Sequence, residues 1–203
     1  MSLSIDVLGR VVEVASGMPL DQFFTKRIFE PLGMRDTHFS LPPAKTSRLV
    51  PLFTMEKDVL ASTSDQERFT NRTYFSGGAG LVGTTRDYLR FAQMLLNGGE
   101  LDGARLLGRK TVELMTASHT QDLGPGAVSP GFGFGYGGEV RESIGRSPRP
   151  GSEGTFGWSG IYGTYFWMDP KEQLVAMLMH QLSPRNNRTA NVFQVLTYAA
   201  IQN

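Results

Sequence analysis

The sequence predicts an α+β fold in which an antiparallel sheet is flanked by helices. Three observations predict it. The first half of the chain carries apolar residues at helical spacing, interrupted by one long aperiodic stretch. From residue 132 the pattern changes to short strand-like segments separated by turn residues, which read as an antiparallel meander. The last segment, 189–201, returns to helical spacing, so helices enclose a meander.

Residues 4–16 place Ile5, Leu8, Val11, Val12 and Ala15 at helical spacing. Gly17 supplies the stop, because glycine adopts the left-handed conformation without a Cβ clash. A second helix opens at Gly17-Met18-Pro19. It turns Leu20, Phe23, Phe24 and Ile28 to the core, and Pro31 is expected to end it. Residues 35–75 hold Pro42, Pro43 and Pro51 without a sustained period, an irregular segment of the kind that walls a cleft or moves. The glycines of Gly77-Gly78-Ala79-Gly80 read as close-packing or turn positions. A phosphate cradle would want a preceding strand and a lysine. Thr84-Thr85-Arg86-Asp87 has capping-box character and opens a helix with Tyr88, Leu89, Phe91, Ala92, Leu95 and Leu96, stopped by Asn97-Gly98-Gly99. A short helix is expected over 109–116 and a Gly/Pro loop over 124–131. Phe132, Phe134 and Tyr136 then alternate with glycines, a stripe read as core. Arg141 to Gly154, with Arg146 and Arg149, reads as a solvated hairpin tip, in which Glu153 is also solvated. Strands are expected at 152–158, 161–168 and 173–180, with Asp169-Pro170-Lys171-Glu172 as the last turn. Met177 and Met179 read as core filler.

Composition bounds the function. The 203 residues suit one domain, here 1–203. Twenty Lys and Arg against nineteen Asp and Glu give a net charge of +1, which offers no footprint for nucleic acid or an anionic membrane. The absence of cysteine excludes disulfides, zinc thiolates and thiol nucleophiles. No apolar run reaches the roughly 18 residues of a membrane span, and Ser4-Ile5-Asp6 interrupts any signal-peptide core. His38, His119 and His180 lack metal spacing, so neither metal nor cofactor is expected. Localisation stays open.

The chemistry points to Gly157-Trp158-Ser159-Gly160-Ile161-Tyr162-Gly163-Thr164. Glycines crowded around a hydroxyl at a strand edge allow backbone N–H groups to approach a substrate closely. Trp158 also fits a core aromatic at a strand end. A Gly-x-Ser-x-Gly elbow is disfavoured because Ile161 fills the last glycine position and a strand, not a helix, follows. No Ser-x-x-Lys occurs in the 203 residues.

Taken in order, four blocks resemble the carboxy-terminal part of the serine β-lactamase and penicillin-binding-protein superfamily, most like class C β-lactamases and family VIII carboxylesterases. They are Asp6 to Gly17, Ile28 to Thr37, Gly77 to Val82 with the following helix, and Phe156 to Pro170. The resemblance implies a β-lactamase/transpeptidase-like α+β fold lacking its N-terminal segment, a single partial domain. It makes Trp158, Ser159 and Gly160 the third, substrate-binding motif and the Ile161 backbone N–H the oxyanion donor. Trp158 where the family has Lys or His removes a cation that would bind a substrate carboxylate, which favours esters. The family's proton-relaying Tyr aligns with Met1, and Ser-x-x-Lys would lie upstream.

The expectation is therefore the C-terminal part of a serine hydrolase that attacks ester, β-lactam or amide bonds through an acyl-enzyme, with no catalytic nucleophile in this chain, which is inert alone. The alternative is a non-catalytic ligand- or partner-binding module with a degenerate cleft. The intact protein would take a small ester or amide. An exposed sheet edge is expected to favour self-association.

Overall fold

The computed structural model describes residues 3–57, 59–63, 69–120 and 129–201. Helix α1 spans Leu3–Ser16. Gly17 ends it at φ +66°, its N–H bonded to the Glu13 carbonyl at 2.9 Å. The only buried residue of α1 is Gly9, whose missing side chain lets the helix touch the backbone of Gly77. Leu3, Val7, Val11 and Val14 form a stripe along the helix that is 77%, 56%, 55% and 70% exposed.

Helix α2 (Leu20–Phe24), a π-helical turn (Thr25–Phe29) and α3 (Glu30–Leu32) run on continuously. Pro31 thus lies inside the helix instead of ending it. Proline lacks an N–H and crowds the carbonyl four residues back, and the wider π turn before it accommodates both defects. The terminator is Gly33 at φ +64°. Its N–H reaches the Glu30 carbonyl at 3.0 Å and the Met34 N–H reaches that of Phe29 at 2.8 Å. This is a Schellman closure, with Phe29 and Met34 both in the core.

Residues 35–75 are more regular than their sequence indicates. They contain a 3₁₀ turn (Pro43–Arg48) and two antiparallel strands, β1 (Leu52–Glu56) and β2 (Val59–Thr63). Neither strand has a buried face, so no alternation marks them. Helix α4 (Thr85–Leu96) is capped by the Thr84 hydroxyl, which accepts the Asp87 N–H at 3.2 Å. The Asp87 carboxylate does not close the reciprocal bond. It turns to the Asp36 N–H and the Thr37 hydroxyl, at 2.7 and 2.9 Å, and so pins the segment after α3 to the start of α4. A small hairpin follows, β3 (Glu100–Leu101) with β4 (Ala104–Arg105), and then α5 (Arg109–Thr116).

The main sheet is a five-stranded antiparallel meander in chain order: β5 (Phe132–Phe134), β6 (Glu139–Arg141), β7 (Phe156–Ser159), β8 (Tyr165–Asp169) and β9 (Leu174–Leu178). Strand β8 is buried throughout, because both sheet faces are covered. Phe166 and Met168 join Phe156 and Val140 against α4, while Tyr165 and Trp167 pack against α6 (Asn187–Ala199) through Phe193 and Tyr198. Before α6, β10 (Leu182–Ser183) pairs in parallel with β1.

Two readings of this region are corrected. Residues 161–164 form a hairpin turn, and the strand expected from 161 begins at Tyr165. Arg141 and Arg149 are not solvated, although Arg146 and Glu153 are exposed. Arg141 is 1% exposed, and both guanidinium carbons lie over the Phe132 ring, 4.7 and 4.6 Å from its centroid. Flat cations on an aromatic face tolerate burial that a lysine would not. Arg149 also pairs with Glu139 at 2.7 Å, with both side chains largely buried.

Candidate active site

The pairings of the meander bring the predicted tripeptide to one end of the sheet. Ser159 pairs with Tyr165, and Tyr165 with Leu178. The β7–β8 turn and the residues after β9 therefore share that end. Trp158 is 45% exposed there, so it is not sealed into the core.

The turn is built from glycines for identifiable reasons. A Cβ on Gly160 would sit 2.2 Å from the Thr164 hydroxyl, and one on Gly163 would sit 2.0 Å from His180 Nε2. Gly163 also has φ +93°, which side chains rarely adopt. The Gly160 N–H donates to the Thr164 carbonyl at 2.8 Å and the Gly163 N–H to the Gly160 carbonyl at 3.1 Å. The Tyr162 carbonyl accepts the Leu182 N–H at 3.0 Å, which ties the turn to β10. Within this braced turn the Ile161 N–H has no acceptor among the described residues, and Ile161 is 67% exposed. A turn closed by its own backbone bonds that leaves one amide without an acceptor offers the kind of donor an oxyanion can use.

Ser159 is occupied differently from what the sequence indicated. Its hydroxyl accepts a hydrogen bond from Arg185 Nη1 at 2.6 Å. Arg185 lies in the segment between β10 and α6, followed by Asn186, Asn187 and Arg188. The guanidinium places a cation beside the motif although Trp158 removes one from the strand. The sequence signal available was the basic, amide-rich run between a strand and a helix.

Several titratable groups are tied into the fold. The Tyr165 hydroxyl accepts from Arg149 at 2.8 Å and donates to Gln194 at 3.2 Å, and burial pushes its pKa up to about 12. Burial alone does the same for Tyr88, also to about 12. Asp6 is held below the usual carboxylate range chiefly by the Ser76 hydroxyl, with the Gly78 N–H adding to it. Ser76 in turn accepts the Gly78 and Ala79 N–H groups, so the pair fastens α1 to the glycine run. The three histidines lie apart. His38 bridges to Val82, His119 stacks on Tyr136, and His180 packs under Gly163. Tyr136, read as core, is 57% exposed. Met1, aligned with the family's Tyr, and most of the 124–131 loop lie outside the described residues.

Comparison with known proteins gives the family and the fold. The model of the Beta-lactamase family matches residues 2–199. Protein Rv1367c of Mycobacterium tuberculosis is 34% identical over 195 residues, covering 90% of this chain and 48% of that protein. Esterase EstB of Burkholderia gladioli is 31% identical over 199 residues, covering 88% of this chain and 48% of EstB. The solved structure of EstCE1, a hydrolase with promiscuous acyltransferase activity, superposes with a TM-score of 0.83 at 28% identity. It covers 98% of this chain and 55% of EstCE1. The chain thus spans about half the length of the curated relatives it matches. Over nearly all of its own residues, this chain belongs to the β-lactamase family of serine hydrolases and penicillin-binding-protein relatives.

Proposed function

We propose that the chain supplies the substrate-binding and oxyanion half of a serine hydrolase that cleaves a small ester or amide through an acyl-enzyme. The observation that carries this reading is the sheet end where Trp158, Ser159 with Arg185, and the free Ile161 N–H converge. In this reading the Ile161 N–H receives the developing oxyanion and Trp158 covers one side of the substrate. Gly160 keeps the backbone accessible, and Ser159 with Arg185 orients the polar side of the substrate. The whole chain acts as one partial domain, with the segment 35–75 walling the cleft.

The nucleophile is not among these 203 residues, which contain no Ser-x-x-Lys. A fluorophosphonate is therefore expected to leave the chain's intact mass unchanged, and a stoichiometric adduct overturns that placement. In a polypeptide extended to the relatives' full length, labelling and ester hydrolysis are expected. There Ile161→Pro, which deletes the N–H, should lower kcat by about 10²–10³. Unchanged kcat in that variant refutes the oxyanion role. An extended polypeptide that never labels favours the second reading, a non-catalytic module binding a ligand in the same cleft.

A further inference from the structure

The aromatic side chains at this sheet end are not accounted for by the core. Glu139 pairs with Gly157, so the β5–β6 turn, residues 135–138, lies at the same end as Trp158 and Ser159. That turn is closed by the Gly135 N–H on the Gly138 carbonyl at 2.8 Å. The Phe134 ring meets the Trp158 indole edge to face, with centroids 4.8 Å apart at 85°. Two residues on, Tyr136 is exposed, and the His119 imidazole lies parallel to it at 4.4 Å and 11°.

This arrangement is held from behind. The His119 N–H donates to the Phe134 carbonyl and the Phe134 N–H to the Thr120 hydroxyl, both at 2.8 Å. A ring nitrogen of His119 lies 2.8 Å from the Leu114 carbonyl. The close approach depends on Gly133 and Gly135. A Cβ on the first would collide with the Ser118 hydroxyl, and one on the second with the Met115 carbonyl. Two large rings thus stay open to solvent while their partners are fixed, a cost the core does not require.

We propose that Phe134, Tyr136 and Trp158 form a platform for the flat aromatic group of an ester whose carbonyl lies at the Ile161 N–H. The proposal rests on the hydrolase reading above and adds the substrate class. The exposed indole, and at the same sheet end the phenol that His119 already backs, each offer a flat ring an open face. A puckered aliphatic ring of equal size cannot lie flat against such a face. Each aromatic contact is expected to change affinity about two- to tenfold.

The test needs no turnover and uses the chain as it is. Its two tryptophans give two indole N–H signals, from the exposed Trp158 and from Trp167, which is 0% exposed. Titration with phenyl acetate should shift the Trp158 signal and leave Trp167 in place. Cyclohexyl acetate should bind at least threefold more weakly. Tyr136→Ala, a change at an exposed side chain, should weaken phenyl acetate two- to tenfold without altering the Trp167 signal. A Trp158 signal that phenyl acetate does not move overturns the platform. So does equal affinity for the two esters, or unchanged affinity in Tyr136→Ala. These outcomes are independent of the Ile161→Pro experiment, so either idea can fail alone.

Discussion

Asp169→Asn isolates the interaction that anchors the far end of the sheet. Asp169 is 0% exposed and accepts five hydrogen bonds. One oxygen takes the Ser152 N–H at 2.9 Å, the Thr155 hydroxyl at 3.1 Å and the Tyr198 hydroxyl at 2.7 Å. The other takes the Lys171 and Glu172 N–H groups at 3.1 and 3.3 Å. An amide must turn its NH₂ toward one of these sets. The hydroxyls can rotate to accept, but the backbone donors cannot, so at least one backbone N–H faces a donor. A bond to a charged group contributes about 1.5–3 kcal/mol, and a stranded buried donor costs about 1–3 kcal/mol. The expected loss is therefore about 3–5 kcal/mol, a large share of the 5–15 kcal/mol typical of domains. Urea unfolding should show it as a midpoint lower by about 2 M at unchanged slope. The Trp158 indole signal should stay in place, because Asp169 closes β8 at the end opposite Ser159. A loss below about 1 kcal/mol refutes this account of the network.

The remaining predictions concern pH, capping and association. Burial alone would raise the Asp169 pKa, but the hydrogen bonds from Ser152, Tyr198 and Glu172 outweigh it and hold it below 3.8. Its stabilisation is thus complete above that value and lost as pH falls through the folded-state pKa. Asp169→Asn should flatten the acid limb of stability against pH, and an unchanged limb contradicts the assignment. Thr84→Ala removes the cap of α4 and should cost about 0.5–2 kcal/mol by the same urea assay. We also propose that the exposed α1 stripe and the outer edge of β9 make the chain self-associate. Light scattering should rise with concentration and fall in Val11→Glu, whereas a clean monomer across the range counts against it.

Local rules carried much of the fold. Gly17 and Thr84 mark their helix ends because both act on neighbouring backbone. The meander is legible because each strand is short and followed by its own turn. What escaped depends on distant partners. Arg141 and Arg149 look solvated until Phe132, from another strand, provides a face for their guanidiniums. Pro31 looks like a terminator because only the π turn before it makes it tolerable. Strands β1 and β2 lack a buried face and so lack the period that reveals strands. At the candidate site, glycines around a hydroxyl were visible in sequence, while Arg185, 26 residues from Ser159, was not.

Arg185 changes the specificity argument. A tryptophan at position 158 reads as the loss of a cation and thus as a preference for neutral esters. The structure places a guanidinium within hydrogen-bonding distance of the next residue, from a loop instead of the strand. A cation held through one exposed hydroxyl bond adds little to stability. Arg185→Ala should therefore leave the unfolding free energy within about 0.5 kcal/mol of the parent. In the extended polypeptide it should raise KM for a carboxylate-bearing ester well above that for its neutral methyl ester. Equal effects on both esters would mean that Arg185 holds Ser159 in place and reads no charge. A selective effect would mean that a neutral aromatic group and an anionic group are handled on opposite sides of one carbonyl.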